Sequence, residues 1–167
     1  MRQYIVSMIT TVDGYFEGPG HDVMAMPFDD GFSRYNAELL RDAAAVVHGG
    51  RWYDGGEYWT RVLTDEQEPE IEREIARLNV PLERLVISDS LQPDPSWAWA
   101  GRTRIVPRAD GPAEVARLKE GDGGTVLSFG SATTWNPLLE AGLVDELHVL
   151  VGPALLGDGS NLFHGAR

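Results

Sequence analysis

Cysteine is missing from all 167 residues. That excludes disulfides, thiolate nucleophiles and zinc sites built on sulfur. Long hydrophobic runs are missing too. The opening Met-Arg-Gln-Tyr-Ile-Val-Ser-Met-Ile is far shorter than the roughly 20 apolar residues of a membrane span, and too short for a signal peptide. A cytoplasmic protein with no membrane partner is expected. Positive charge is scarce: 14 Lys and Arg stand against 26 Asp and Glu, a net charge of −12. Phosphate backbones need clustered cations, so no nucleic-acid partner is expected. Histidine is sparse as well. His48 and His148 stand alone, without a second ligand at metal spacing, and no metal is predicted. There is no GxGxxG fingerprint, so the common dinucleotide fold is not indicated. Neither is there a strained GxSxG elbow for nucleophilic catalysis.

What is present suits one compact domain over residues 1–167, with 43% hydrophobic and 24% charged residues. Tyr4 to Ile9 reads as a buried strand. Turn signals at Asp13-Gly14 and Gly18-Pro19-Gly20 make 10–27 a long excursion, and long loops in small domains often carry function. Asp29 to Arg41 has helical spacing at Phe32, Tyr35 and Leu39. Ala44 to His48 reads as a strand broken by Gly49-Gly50-Arg51-Trp52-Tyr53, which opens a short helix. Asp65 to Leu78 is amphipathic, with Ile71, Ile75 and Leu78 on one face. Strands at Arg84–Ile87 and Thr103–Val106 flank a loop marked by Pro93 and Pro95. A helix follows over Pro112–Lys119. The chain closes with a strand around Val126-Leu127, a turn Phe129-Gly130-Ser131-Ala132, a helix ending at Gly142, and a strand over Glu146–Val151. Strands alternating with helices predict an α/β fold on a largely parallel sheet. Ligands in such folds sit at the carboxyl ends of the strands, where the glycine turns fall.

Those turns are the strongest functional signal. Small residues between a buried strand and a helix let backbone N–H groups approach an anion. Gly49-Gly50-Arg51-Trp52 and Gly130-Ser131-Ala132-Thr133 each have this form, and two such turns can bracket one dinucleotide. Against net charge −12, the local cations are Arg51, Arg102, Arg104 and Arg108; the alternative is that they only solubilise the surface. Asp13, just past the first strand, can bind a substrate amide or assist proton delivery. The alternative is an Asp-Gly turn bonded to its own backbone. Asp29-Asp30 reads as a helix cap. Five tryptophans suit either stacking on a planar heterocycle or packing.

Thr11-Val12-Asp13-Gly14-Tyr15, Gly50-Arg51-Trp52-Tyr53, Leu85-Val86-Ile87-Ser88, Phe129-Gly130-Ser131 and the block Leu138-Leu139-Glu140-Ala141-Gly142-Leu143-Val144-Asp145-Glu146-Leu147 occur in order along the chain, followed by Pro153-Ala154-Leu155-Leu156-Gly157. Together they resemble the dihydrofolate-reductase-like superfamily, in the branch of the riboflavin-biosynthesis reductase domain. The resemblance implies a three-layer α/β/α fold with a central, mostly parallel mixed sheet. It also implies an NAD(P)H-dependent reductase that transfers hydride to a small pterin-like or pyrimidine-like heterocycle. By the same resemblance the cofactor is NADPH, with NADH possible. Gly49, Gly50, Arg51 and Trp52 would face its phosphates, Ser88 its adenosine ribose phosphate, and Gly130, Ser131, Ala132 and Thr133 its pyrophosphate. Ile9 would lie near the nicotinamide, and Asp13, the candidate catalytic residue, near the substrate pocket. The rival reading is a non-catalytic flavin-, pterin- or nucleotide-binding module on the same fold. Three positions depart from the family pattern. Trp52 replaces a usual Thr. Asp89 stands where a basic residue is common, which weakens NADPH against NADH. Pro137 suggests a late helix start, with Asn136 as the cap. The chain ends at Arg167, where relatives continue into further strands, so an open sheet edge and a homodimer are expected.

Overall fold

The structure, a computed structural model, describes residues 1–53, 56–92, 94–97 and 99–163, and of residues 52, 53, 56 and 57 the backbone alone. The Trp52 side chain, Pro93 and the chain end at Arg167 therefore lie outside the described residues. Six strands form the central sheet: β1 (Tyr4–Thr11), β3 (Ala43–Gly49), β4 (Glu83–Ile87), β5 (Thr103–Val106), β6 (Thr125–Phe129) and β7 (Glu146–Gly152), in the order β5-β4-β3-β6-β1-β7. Every pairing among them is parallel. The antiparallel component is a separate ribbon, in which β2 (Tyr15–Glu17) pairs with β8 (Ser160–Asn161).

All eight residues of β1 are buried, as a strand covered on both faces requires. Alternation then divides its side chains between two cores. Ile5 joins Val46 and Leu127 beneath α1 (Asp30–Arg41) and α4 (Glu70–Asn79), which supply Ala37, Leu40 and Ile75. Tyr4, Val6 and Met8 join Val47 and Leu85 on the other face, beneath α5 (Gly111–Lys119) and α6 (Ala132–Glu140), which supply Val115, Leu118, Trp135 and Leu138. This is the three-layer sandwich.

Caps set several boundaries. Asp29 accepts from the Phe32 N–H at 2.9 Å and starts α1, as the Asp29-Asp30 pair suggests. The predicted helix from Asp65 begins later, at Glu70 after Pro69, because Asp65–Glu68 forms a turn held by Arg61. Between β3 and α4 the chain forms two short helices, α2 (Gly50–Tyr53) and α3 (Gly56–Val62). The excursion after β1 holds β2 and two 3-10 turns at Pro19–His21 and Val23–Ala25.

Pro137 corrects the expectation of a late helix start. Residue 137 is the sixth position of α6, and the cap is Ser131, not Asn136. Proline cannot donate to the carbonyl of Thr133, one turn back. Burial offsets that loss: Trp135 and Leu138 are almost fully buried, and the Asn136 amide donates to the carbonyls of Ala132 (2.8 Å) and Leu162 (3.1 Å). The end of α6 agrees with expectation. Gly142 takes φ +69°, its N–H reaches Leu139 O at 2.9 Å, and the Leu143 N–H reaches Leu138 O at 3.0 Å. That is the paired closure of a Schellman turn, for which glycine is suited.

Candidate functional site

The sheet order itself points to a site. β3 and β6 are neighbours, yet β3 leads away toward β4, and β6 leads through α6 to β7 beyond β1. Their carboxyl-end loops therefore part in opposite directions and leave a crevice, the usual ligand position in a parallel sheet. The two glycine turns are the two lips of this crevice. The Gly49 N–H donates to Ser131 Oγ at 3.3 Å. A Cβ on Gly49 would stand 2.5 Å from Thr134 Oγ1, and one on Gly50 would stand 2.7 Å from Ser88 Oγ. The sequence-predicted residues Gly49, Gly50, Ser88 and Ser131 are thus brought together across β4, β3 and β6.

The lip formed after β6 is strained. Gly130 has φ +62° and Ser131 φ +57°. For a non-glycine residue the left-handed region costs about 1–2 kcal/mol. Ser131 spends its hydroxyl on Gly49 and makes no side-chain cap to its own helix. The first turn of α6 therefore presents backbone N–H groups with the positive end of the helix dipole behind them. Ala132 is buried beneath this turn, and Thr133 is exposed. The uncapped start of α6, beside a Gly130 with open space on its Cβ side, fits a pyrophosphate.

Neighbouring groups complete the edge. Ser88 Oγ accepts from the Leu91 N–H at 3.1 Å, which leaves its O–H to donate. Arg51 is exposed on the first turn of α2. A small cavity of about 100 Å³ lies between β4, α5 and α6, lined by Ile87, Gly111, Thr133 and Pro137 among others. A more open recess of about 430 Å³ lies at the ends of β1 and β7, with walls that include Thr10, Val12, Val151 and Phe163. Ile9 is buried on β1 and lines neither space.

Asp13 has other work. One of its carboxylate oxygens accepts from Thr11 Oγ1 at 2.6 Å, and the other from the N–H groups of Gly157 at 2.8 Å and Leu156 at 3.1 Å. The Thr11 hydroxyl and the Gly157 N–H hold its carboxyl below the usual range. It is a clamp between the turn after β1 and the loop 153–157.

Sequence reasoning missed Glu17 and Thr134. Burial alone would raise the Glu17 carboxyl, but bonds from His21 and Ser160 and the charge of Arg51 pull it below its usual range. Its oxygen lies 2.6 Å from His21 Nδ1, and His21 holds φ +66°. The signal was an acid in a short apolar run just before Gly18-Pro19-Gly20. Several of the remaining candidates pack or pair within the protein. Arg104 pairs with Glu114, and Arg108 with Asp89. Trp99 is buried under the Arg84 guanidinium at 4.1 Å, and Trp135 lies in the core. Burial first, and then Arg84, hold the His48 imidazole well below its ordinary value, and so neutral. His148 lies between Glu146 (2.7 Å) and Tyr35 (2.8 Å). Among the described residues, no helix is long and apolar enough to cross a membrane, and no three His, Asp or Glu side chains gather in a metal-holding group.

Comparison with known proteins agrees with this architecture. The profile of the RibD C-terminal domain family matches residues 2–167. An uncharacterized protein of Bacillus subtilis, YyaP, is 26% identical over 164 residues, covering 97% of this chain and 80% of its own length. A crystal structure described as a riboflavin biosynthesis protein of Shewanella superposes with a TM-score of 0.63 at 20% identity, over 97% of this chain and 83% of that one. A Thermotoga maritima protein described as a diaminohydroxyphosphoribosylaminopyrimidine deaminase and 5-amino-6-(5-phosphoribosylamino)uracil reductase superposes with a TM-score of 0.62 at 15% identity. It covers 99% of this chain, which spans 49% of that longer one.

Proposed function

The chain belongs to the RibD C-terminal domain family, and from that premise we propose that it is a reductase that binds a reduced nicotinamide dinucleotide in the β3–β6 crevice and reduces a small pterin-like or pyrimidine-like heterocycle. The observation that carries this reading is the meeting of the two glycine turns at the sheet's switch point, with the Gly49 N–H on Ser131 Oγ. When bound, the cofactor would supply a hydride to the carbon of a C=N or C=O bond of the substrate, with a solvent proton completing the reduction at the nitrogen or oxygen. The chain's own part is positioning. Gly50 and the first turn of α6, from Ser131 to Thr133, would hold the pyrophosphate by backbone N–H groups, with the Gly49 N–H tying the two turns together through Ser131 Oγ. Arg51 would add charge beside it, and Ser88 would donate to the adenosine ribose. Ile9 and Thr10, at the end of β1, would bound the nicotinamide end. Asp13 would act as a positioning residue, fixing loop 153–157 against the turn after β1.

One observation favours the second reading, a binding module without turnover: the carboxylate expected to deliver a proton is committed to Leu156 and Gly157. The test is direct. NADH and NADPH are titrated into the purified chain by nicotinamide fluorescence, and absorbance at the nicotinamide band is then followed with dihydrofolate and with 5-amino-6-(5-phosphoribosylamino)uracil. Micromolar binding with cofactor oxidation supports the reductase. Binding without oxidation supports the module. No binding at millimolar dinucleotide sinks both dinucleotide readings.

A further inference from the structure

The turn after β4 places an acid beside the candidate phosphate site. Asp89 Oδ1 accepts the Arg108 N–H at 2.9 Å, and Asp89 Oδ2 stands 3.4 Å from Arg108 Nε. Both side chains are mostly exposed, 61% and 65%, so a ligand can reach them. We propose, resting on the reductase reading above, that the Asp89–Arg108 pair makes this site select a dinucleotide with a free ribose 2′-hydroxyl, NADH, over its 2′-phosphorylated form, NADPH.

The argument is positional and electrostatic. β4 is the neighbour of β3, about 4.8 Å away in the sheet. The packing of Ser88 Oγ against Gly50 shows that the β4 turn abuts the phosphate-facing turn. A cavity lined by Ile87, Arg108, Thr133 and Pro137 connects Arg108 with the first turn of α6. An adenosine half running from the crevice toward that cavity carries its ribose past the ends of β4 and β5, where Asp89 and Arg108 stand.

A 2′-phosphate brings a charge of about −1.5 to −2. It meets the Asp89 carboxylate, and the nearby cation already faces that carboxylate. Arg108 can turn to the phosphate only by leaving Asp89, whose charge remains beside the incoming dianion. A 2′-hydroxyl meets no such conflict. A carboxylate has about four acceptor positions, and the two contacts to Arg108 leave room for one O–H. An acid that accepts a ribose hydroxyl is the general device by which nucleotide sites exclude the 2′-phosphate.

The test uses the full chain and binding alone. NADH and NADPH are titrated at one fixed ionic strength, with wild type, Asp89→Asn, and Asp89→Asn combined with Arg108→Met. Melting temperature is recorded for each variant to establish folding. The wild type is expected to bind NADH at least tenfold tighter than NADPH. Asp89→Asn removes the charge and frees Arg108, so NADPH binding tightens at least fivefold while NADH changes less. Adding Arg108→Met cancels the NADPH gain. Equal or tighter binding of NADPH by the wild type overturns the proposal and leaves the reductase reading standing. An unchanged NADH-to-NADPH ratio in Asp89→Asn also overturns it. Binding of neither dinucleotide overturns both.

Discussion

Two positions at the end of β3 translate directly into measurements. The His48 imidazole is fully buried between β4 and β6, and its folded-state pKa lies below the ordinary value of about 6.5. Below pH 6.5 the unfolded chain takes up a proton that the folded chain refuses. Stability must therefore fall as pH drops, with a slope approaching about 1.4 kcal/mol per pH unit, until the folded pKa is reached. Other groups titrate in the same range, so the readout is a difference. Urea unfolding of the wild type and of His48→Leu, from pH 7 to pH 5, should show a steeper decline for the wild type. Parallel declines would show that His48 takes up its proton while folded. Gly49 offers a second test. A methyl there would stand 2.5 Å from Thr134 Oγ1, whose branched Cβ leaves it few rotamers. Gly49→Ala should cost about 1–3 kcal/mol, and adding Thr134→Ala should recover part of the loss. Additive effects in this cycle would mean that the two sites do not touch.

At the scale of elements, α6 shows local preference yielding to packing. A proline at its sixth position argues for a helix that starts afterwards, yet α6 begins at Ala132 because Trp135 and Leu138 are anchored in the core. Pro137→Ala restores the bond to the Thr133 carbonyl, while the unfolded chain gains freedom worth about 0.4–1 kcal/mol. The net expectation is a gain of about 1–2 kcal/mol, seen as a higher urea midpoint with an unchanged m-value. A lower midpoint would mean that the proline ring contributes more to the cavity wall than its missing N–H costs. The same contest explains what the sequence disclosed. The six sheet strands and α1, α4, α5 and α6 carry periodic apolar patterns long enough to read, and both glycine turns were legible as breaks after strands. The ribbon was not. β2 has three residues and β8 two, too few for any period, and they pair only because Gly159 lets the backbone pass within contact of Glu17. Contacts made by folding were equally hidden: Gly49 on Ser131, and Asp13 on Leu156 and Gly157, join residues far apart in the chain.

At the scale of the whole molecule, the balance lies between an open edge and a large charge. β7 ends the sheet, with its outer row of N–H and C=O groups facing no strand of the described residues. Val149 and Val151 on that strand are 40% and 63% exposed, and Leu155 and Phe163 nearby are exposed as well. A homodimer built on this edge would pair two β7 strands antiparallel about a two-fold axis. Opposing this is a net charge of −12 on each copy. The repulsion is long-range and screened, with a Debye length of about 30 Å at 0.01 M salt and about 8 Å at 0.15 M. Apolar contact and strand pairing are short-range and are not screened. The association should therefore tighten with salt, the reverse of an ion-paired interface. Sedimentation equilibrium is expected to show mainly monomer at 0.01 M salt and a growing dimer fraction toward 0.5 M. Val151→Lys should return the chain to monomer at every salt concentration, because it adds a charge to the face that pairing would bury. A Val151→Lys chain that still dimerises would move the contact away from β7. A dimer that weakens with salt would mean that charged pairs, not the strand edge, hold the two copies together.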